Sequence, residues 1–169
     1  KGNFNKHIAY YECGMMENER ERRELLNDVE RALENEEFEV WFQPQIDYVK
    51  ETIHGSEALI RWRHPEKGLI SPATFIPLLE QSEYITMIDE YMIDKVCQYM
   101  CMWADRVDEK KLKMSVNLSR KDINQKNFCD KIEKTVNRYG IAPENLHLEI
   151  TESVYADAPE RLADAIEEF

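Results

Sequence analysis

The feature that most constrains the fold of this chain is an alternation of strand-like and helix-like segments from residue 38 onward. Two strand-like segments, 38–46 and 53–62, come first, and the short connection between them has no room for a helical crossover, so these strands run antiparallel if they pair. The later segments are a helix opened by Ser71 and Pro72, a helix over 88–106, a strand over 112–118, a helix over 122–139 that Gly140 ends, a strand over 146–152 and a helix opened by Pro159. Strands separated by helices in this way predict an α/β fold with a parallel sheet or barrel.

The length of this alternating region limits how much of a barrel it can form. A complete (β/α)8 barrel of TIM type has about 250 residues, and residues 38–169 supply roughly half of that number. We therefore expect an incomplete barrel, its first half only, in which no strand follows the last helix.

Residues 15–37, which precede the alternating region, have the composition of a helix. The first half of this segment is charged on all sides, and the second half carries an apolar stripe at helical spacing, formed by Leu25, Leu26, Val29, Ala32 and Leu33. We interpret residues 15–37 as a linker helix between residues 1–14 and the domain that occupies 38–169.

The composition excludes several classes of protein. The net charge of −12 opposes binding to nucleic acid polymers and to anionic lipid surfaces. No apolar run approaches the roughly 18 residues of a membrane span, so we expect no membrane contact by this segment. The four cysteines form no CxxC pair, which favours buried, reduced thiols over a zinc site.

Strand alternation places three metal-capable side chains on one face of the predicted sheet. Glu57, Asn117 and Glu149 each lie opposite the branched apolar residues of their own strand. In a barrel they would meet at the C-terminal mouth, where the active sites of barrel enzymes are built. Two carboxylates and an amide oxygen are the hard ligands that Mg²⁺ or Mn²⁺ prefers, and such an ion would bridge this acidic protein to a phosphate.

Arg61 lies one pleat beyond Glu57, where its guanidinium would reach a phosphate oxygen. The pattern leaves a structural alternative open, in which Glu57 is solvated or simply pairs with Arg61. The repetition of the pattern over three strands favours the metal site.

Several motifs follow one another in a fixed order along residues 38–169. They are Phe42-Gln43-Pro44, Glu57-Ala58-Leu59 with Arg61-Trp62, His64-Pro65 with Gly68, Pro72 and Phe75-Ile76-Pro77, then Val116-Asn117-Leu118-Ser119, and finally Leu148-Glu149-Ile150-Thr151-Glu152. Taken together, they resemble the EAL domain, the bacterial phosphodiesterase that linearises the second messenger cyclic di-GMP. Two positions depart from the family pattern, Leu79 and Glu83, and both concern a helix and its turn.

The resemblance implies a TIM-type (β/α)8 barrel with an antiparallel first strand, a Mg²⁺ or Mn²⁺ cofactor, and hydrolysis of cyclic di-GMP to linear pGpG. By resemblance, the metal ligands are Glu57, Asn117 and Glu149. The residues expected to contact the cyclic dinucleotide are Gln43, Pro44, Leu59 and Arg61, with Glu80 near a guanine. The resemblance further implies that the catalytic residues are Glu57 and Glu152, and that Glu152 steadies the loop that carries the next acidic motif.

The resemblance also bears on neighbouring segments and on location. Residues 1–14 are similar to the last strand of a GGDEF domain, the diguanylate cyclase type, with a generic linker as the alternative. We expect a cytoplasmic location, either free or as the cytoplasmic part of a larger membrane-anchored signalling protein. The open strand edges of a half-barrel predict self-association, for instance as a homodimer.

Three functions remain open at this point. The family's Asp-Asp motif, its later lysine and its last metal-binding glutamate would lie beyond Phe169. The first function is therefore a cyclic di-GMP phosphodiesterase in the intact parent, the second is a cyclic di-GMP receptor that binds without cleavage, and the third is an inactive half-barrel.

Overall fold

A computed structural model describes residues 13–104, 106, 113–125, 127–150 and 163. The helices are α1 (Cys13–Glu34), α2 (Pro72–Leu79), α3 (Tyr84–Trp103), α4 (Arg120–Ile123) and α5 (Phe128–Tyr139). The strands are β1 (Phe38–Asp47), β2 (Thr52–His64), β3 (Gly68–Ile70), β4 (Met114–Leu118) and β5 (Leu146–Ile150). Within these residues, every helix is too short or too polar to cross a membrane.

The strands form one mixed sheet in the order β1-β2-β4-β5, and β3 adds to β2. The β1 and β2 strands pair antiparallel, as their short connection predicts, whereas β2, β4 and β5 run parallel to one another, as the intervening helices predict. The expected α/β fold with an antiparallel first strand is confirmed. The short strand β3, which pairs antiparallel with the end of β2, is absent from the sequence prediction.

One face of the sheet carries the hydrophobic core. Phe38, Trp62 and Phe75 are buried and pack ring against ring, with centroids 4.9 Å apart for Phe38 and Trp62 and 5.5 Å apart for Trp62 and Phe75. Met114, Val116 and Leu118 of β4 are buried in the same core, together with seven apolar residues of α3. Because this face is covered, polar side chains of the strands collect on the other face.

The apolar stripe predicted for α1 faces this core. Leu25, Val29 and Ala32 are buried, and Leu26 and Leu33 are partly buried against them. The second half of α1 therefore packs on the domain, as amphipathic spacing predicts.

Helix boundaries differ from those predicted, most clearly in segment 122–139 and at the start of α3. Segment 122–139 contains parts of two helices rather than one, since α4 ends at Ile123 and α5 begins at Phe128. The break occurs because the Asn124 side chain donates to the Arg120 carbonyl (3.0 Å) and so competes with the helical backbone. The α3 helix begins at Tyr84, four residues before the predicted start, with the Ser82 hydroxyl accepting from the Tyr84 amide. Gly140 ends α5 with a φ of 64°, as expected of a glycine C-cap.

Candidate functional site

The polar face of the sheet brings the predicted metal ligands together. The Asn117 side-chain amide donates to Glu57 Oε1 at 2.7 Å, across from β4 to β2. Asn117 and Glu149 are register partners on β4 and β5, so their side chains are neighbours on one face. We define the polar face by these three residues and Arg61.

Gln43 extends this arrangement to β1, since it is the antiparallel register partner of Glu57. Glu57 and Glu149 are half-buried, and Gln43 and Asn117 are exposed. The structure thus aligns one predicted residue from each of four neighbouring strands, with every side chain accessible to a ligand.

The chemistry of this donor set fits a divalent cation. It offers two carboxylates and one amide oxygen, and rotation of the Asn117 amide by half a turn exchanges its oxygen and nitrogen. Within the described residues no group of three or more His, Cys, Asp or Glu side chains could hold a metal ion, and the third member of the present set is an asparagine. The hard-oxygen character of the set suits Mg²⁺ or Mn²⁺ rather than zinc.

A cavity of about 250 Å³ adjoins the polar face at the carboxyl ends of β2 and β4. Four residues predicted to bind ligand or metal line it: Leu59, Arg61, Glu80 and Asn117. Apolar side chains from α2 and α3, among them Ile76 and Met92, complete its wall. A cleft of this kind, apolar with a few convergent polar groups, is the usual form of a small-molecule site.

Not every predicted contact residue lines that cavity. Gln43 lies beside Glu57 on the neighbouring strand, and Pro44 is opposite Ser56, next to the register shift after Gln45. Both are exposed and outside the cavity lining. Glu152 lies outside the described residues, as do residues 1–12 and, apart from Ala163, the helix predicted from Pro159.

Arg61 is not engaged in the pair with Glu57 that the structural alternative requires. Its Nη1 donates to the carbonyl of Ile60 at 2.7 Å, and its guanidinium lies 5.5 Å from the centre of the Trp41 ring. Its cross-strand neighbour Glu39 pairs with Arg63 instead, and the hydrogen bond from Arg63 holds the pKa of Glu39 below its ordinary value. Among the described residues, Arg61 has no carboxylate within ion-pair distance, which leaves its charge available to an anion.

The two departures from the family pattern have structural roles. Leu79 is buried in the core, and Glu83 accepts a hydrogen bond from Lys121 at 2.7 Å. Neither residue lines the cavity.

Sequence reasoning missed two polar residues of the cavity wall, Asp89 and Ser119. Asp89 is buried, and burial together with the neighbouring Asp122 raises its pKa to about 9. A signal for Asp89 was present, since it is an acidic residue beside the buried Ile88 and on the stripe of Met92 and Val96. Its partner Asp122 lies 33 positions away, which local spacing does not reveal.

Comparison with known proteins gives consistent matches. The family model for the EAL domain matches residues 26–169. The bifunctional diguanylate cyclase/cyclic di-GMP phosphodiesterase MucR of Pseudomonas aeruginosa is 34% identical over 145 residues, which cover 86% of this chain and 21% of MucR. The cyclic di-GMP phosphodiesterase PA2567 of the same organism is 33% identical over 131 residues, covering 77% of this chain and 22% of that protein.

Solved structures agree with the sequence matches. A phosphodiesterase structure of MucR in complex with c-di-GMP has a TM-score of 0.78 and 32% identity, covering 86% of this chain and 60% of that one. The cGMP-bound form of the EAL enzyme Bd1971 has a TM-score of 0.79 and 28% identity, covering 90% and 44%. The chain spans about a fifth of the length of the two curated relatives.

Proposed function

Because this chain belongs to the EAL domain family, we propose that it is part of a cyclic di-GMP phosphodiesterase, and that in the intact parent protein its polar face binds cyclic di-GMP for hydrolysis to linear pGpG with Mg²⁺ or Mn²⁺. The observation that carries this proposal is the meeting of Glu57, Asn117 and Glu149 on three neighbouring parallel strands, with Glu57 and Asn117 in hydrogen-bond contact at 2.7 Å. Related proteins named as cyclic di-GMP phosphodiesterases support the choice of substrate.

In this proposal Glu57, Asn117 and Glu149 hold the divalent cation. The cation, when bound, polarises a phosphate oxygen and lowers the pKa of water. Because Glu57 and Glu149 are half-buried, their carboxylates are partly shielded from water, which strengthens their attraction for a cation.

The remaining residues orient the substrate. Arg61 contacts a phosphate oxygen through its guanidinium, and Leu59 supplies apolar contact in the cavity. Glu80, on the rim formed by α2, accepts hydrogen bonds from the edge of a guanine base. Gln43 approaches the same phosphate region from β1, beside Glu57, and Pro44 flanks it.

The deciding experiment is product analysis with the purified intact parent protein, cyclic di-GMP and Mn²⁺. We expect linear pGpG from the wild type and a loss of turnover of at least about 100-fold in Glu57→Gln. Glu51→Gln, at an exposed position in the hairpin that precedes β2, is the matched control and retains activity. Tight binding without any product would identify a receptor, and no binding would exclude both functions.

Two further properties follow from the proposal. Action on a second messenger implies a cytoplasmic site of action. Self-association as a homodimer, expected because β1 and β5 each pair on one side only within the described residues, is measured by light scattering coupled to size exclusion, where a monomer at all concentrations would contradict it.

A further inference from the structure

Two buried carboxyl groups meet at the end of β4, where the strand that carries Asn117 turns into α4. Asp89 of α3 is 7% exposed, and Asp122 of α4 is fully buried. The Ser119 amide lies 3.1 Å from Asp89 Oδ2 and 3.0 Å from Asp122 Oδ2. The Ser119 hydroxyl donates to Asp122 Oδ2 at 2.5 Å. Both carboxyl groups therefore hold the same residue, two positions after Asn117.

The contacts of this pair require one proton. Two adjacent carboxylates that are both ionised and both removed from water repel each other strongly, so one of them stays protonated. Asp122 Oδ1 is buried and has no hydrogen-bond partner among the described residues, so it can accept a hydrogen bond from Asp89, whose side chain lies within hydrogen-bond reach of Asp122. Asp89 is then the neutral acid, and Asp122 accepts from Asp89 and from Ser119.

The charged groups of the surrounding elements leave this assignment unchanged. Arg61 of β2 and Glu80, which follows α2 directly, line the cavity beside Asp89. On α4, Lys121 is paired with Glu83, and Arg120 is exposed. Burial is the largest cause that raises the pKa of Asp89 to about 9, the neighbouring Asp122 is the next, and the hydrogen bonds from Ser119 act in the opposite direction.

We propose that Asp89 and Asp122 are positioning residues that share one proton, clamp Ser119, and thereby fix the strand end that presents Asn117 to the metal site. The clamp lies on the wall of the ligand cavity, since Asp89, Ser119 and Asn117 all line it. The shared proton follows from the burial of the two carboxyl groups and their common contact with Ser119, whereas its effect on metal binding rests on the proposed function.

The shared proton makes a signed prediction for stability. A raised pKa means that the folded protein binds this proton more tightly than the unfolded chain does. The clamp therefore stabilises the fold most at acidic pH, and this stabilisation is lost as the pH rises from the ordinary aspartate range through about 9. Asp89→Asn is neutral at every pH and keeps a side-chain donor, so its melting temperature relative to the wild type rises as the pH rises from 5 to about 9.

Infrared difference spectroscopy at pH 7 tests the proton directly. We expect the wild type to show a protonated-carboxyl stretching band that Asp89→Asn removes. Asp94→Asn, on the same helix but paired with Arg138 and Tyr139, is the matched control and keeps the band. An unchanged band in Asp89→Asn, or a melting-temperature difference that does not vary with pH, would overturn the shared proton.

Mn²⁺ titration tests the positioning role. We expect Asp89→Asn to bind Mn²⁺ within about twofold of the wild type, and Asp89→Leu, which removes the donor and the acceptor, to bind about tenfold more weakly. Rescue by the amide separates positioning from a general loss of structure. Wild-type affinity in a folded Asp89→Leu variant would overturn the positioning role. If the wild type binds no Mn²⁺, both the proposed function and the positioning role are refuted. The infrared and stability results would then still decide the shared proton.

Discussion

Two charged regions lie on the same strand, β2, and differ in how completely their polar groups are paired. The first, which we call the α1–β2 joint, consists of Asp28, Arg31, Glu37, Trp62 and His64. The second is the polar face around Glu57 and Arg61. The joint holds its polar atoms in mutual contacts, whereas the polar face leaves charged groups open to a ligand.

The pairing in the joint is dense. His64 is 3% exposed, and its Nδ1 accepts hydrogen bonds from the amides of Glu66 and Lys67. Because Nδ1 is an acceptor, the ring proton is on Nε2, which donates to Asp28 at 3.1 Å. Arg31 donates to Asp28 at 2.7 Å, and the Trp62 indole donates to Glu37 at 3.1 Å. These contacts attach α1 to the end of β2.

The polar face shows the opposite arrangement. Within the part of the chain that the structure describes, Glu57 receives one hydrogen bond, from Asn117, and Arg61 donates to a neighbouring carbonyl rather than to a carboxylate. The difference indicates that a charged side chain on a strand serves ligand binding when it lacks an ion-pair partner in the fold, and serves stability when it has one. Substitutions in the joint should therefore change stability, and those on the polar face should change ligand binding.

The largest expected effect is on stability, from Trp62→Ala in the joint. Trp62 is fully buried against Phe38 and Phe75, so its truncation removes a large apolar contact and leaves a cavity. We expect the free energy of unfolding to fall by about 3–5 kcal/mol, measured by urea denaturation. A loss below about 1 kcal/mol would show that the joint does not anchor the domain.

A smaller loss is expected from Asp28→Ala, also in the joint. The substitution leaves the Nε2 proton of buried His64 without its acceptor, which costs about 1–3 kcal/mol of unfolding free energy. Glu34→Ala, at an exposed position on the same helix, is the control and changes stability little. Equal stability of the two variants would contradict a structural role for the His64 contact, and cyclic di-GMP affinity should not change in either.

On the polar face, Arg61→Ala should weaken cyclic di-GMP binding by about 10- to 100-fold. This factor corresponds to the free energy of one charge-assisted hydrogen bond to a phosphate. Calorimetry with Ca²⁺ in place of Mg²⁺ measures the affinity while suppressing cleavage. Arg63→Ala is the control, because it lies two residues further along the strand and is paired with Glu39. If both variants lose affinity equally, the open charge of Arg61 has no special role.

The sheet and its two faces could be predicted because they depend on local pattern. The short connection before Thr52 sets the direction of β2, and alternation assigns Glu57, Asn117 and Glu149 to one face. The same logic predicted that Val29 and Ala32 face the core.

The parts that could not be predicted depend on contacts between distant residues. His64 and Asp28 are 36 positions apart, and the side chain of each gives no local sign of the other. The break after α4 depends on the Asn124 side chain bonding its own backbone, which interrupts an otherwise helical pattern. The clamp on Ser119 joins α3 to α4 and appears only when the helices pack.

The most direct test of the central claim is a Mn²⁺ titration followed by electron paramagnetic resonance, which reports the free ion. If Glu57, Asn117 and Glu149 hold the cation, the wild type binds Mn²⁺ and Glu149→Gln binds it at least about tenfold more weakly. Glu144→Gln, exposed in the turn just before β5, retains wild-type affinity. Equal Mn²⁺ affinity in all three proteins, or no binding by the wild type, would contradict the assignment of this face as the metal site.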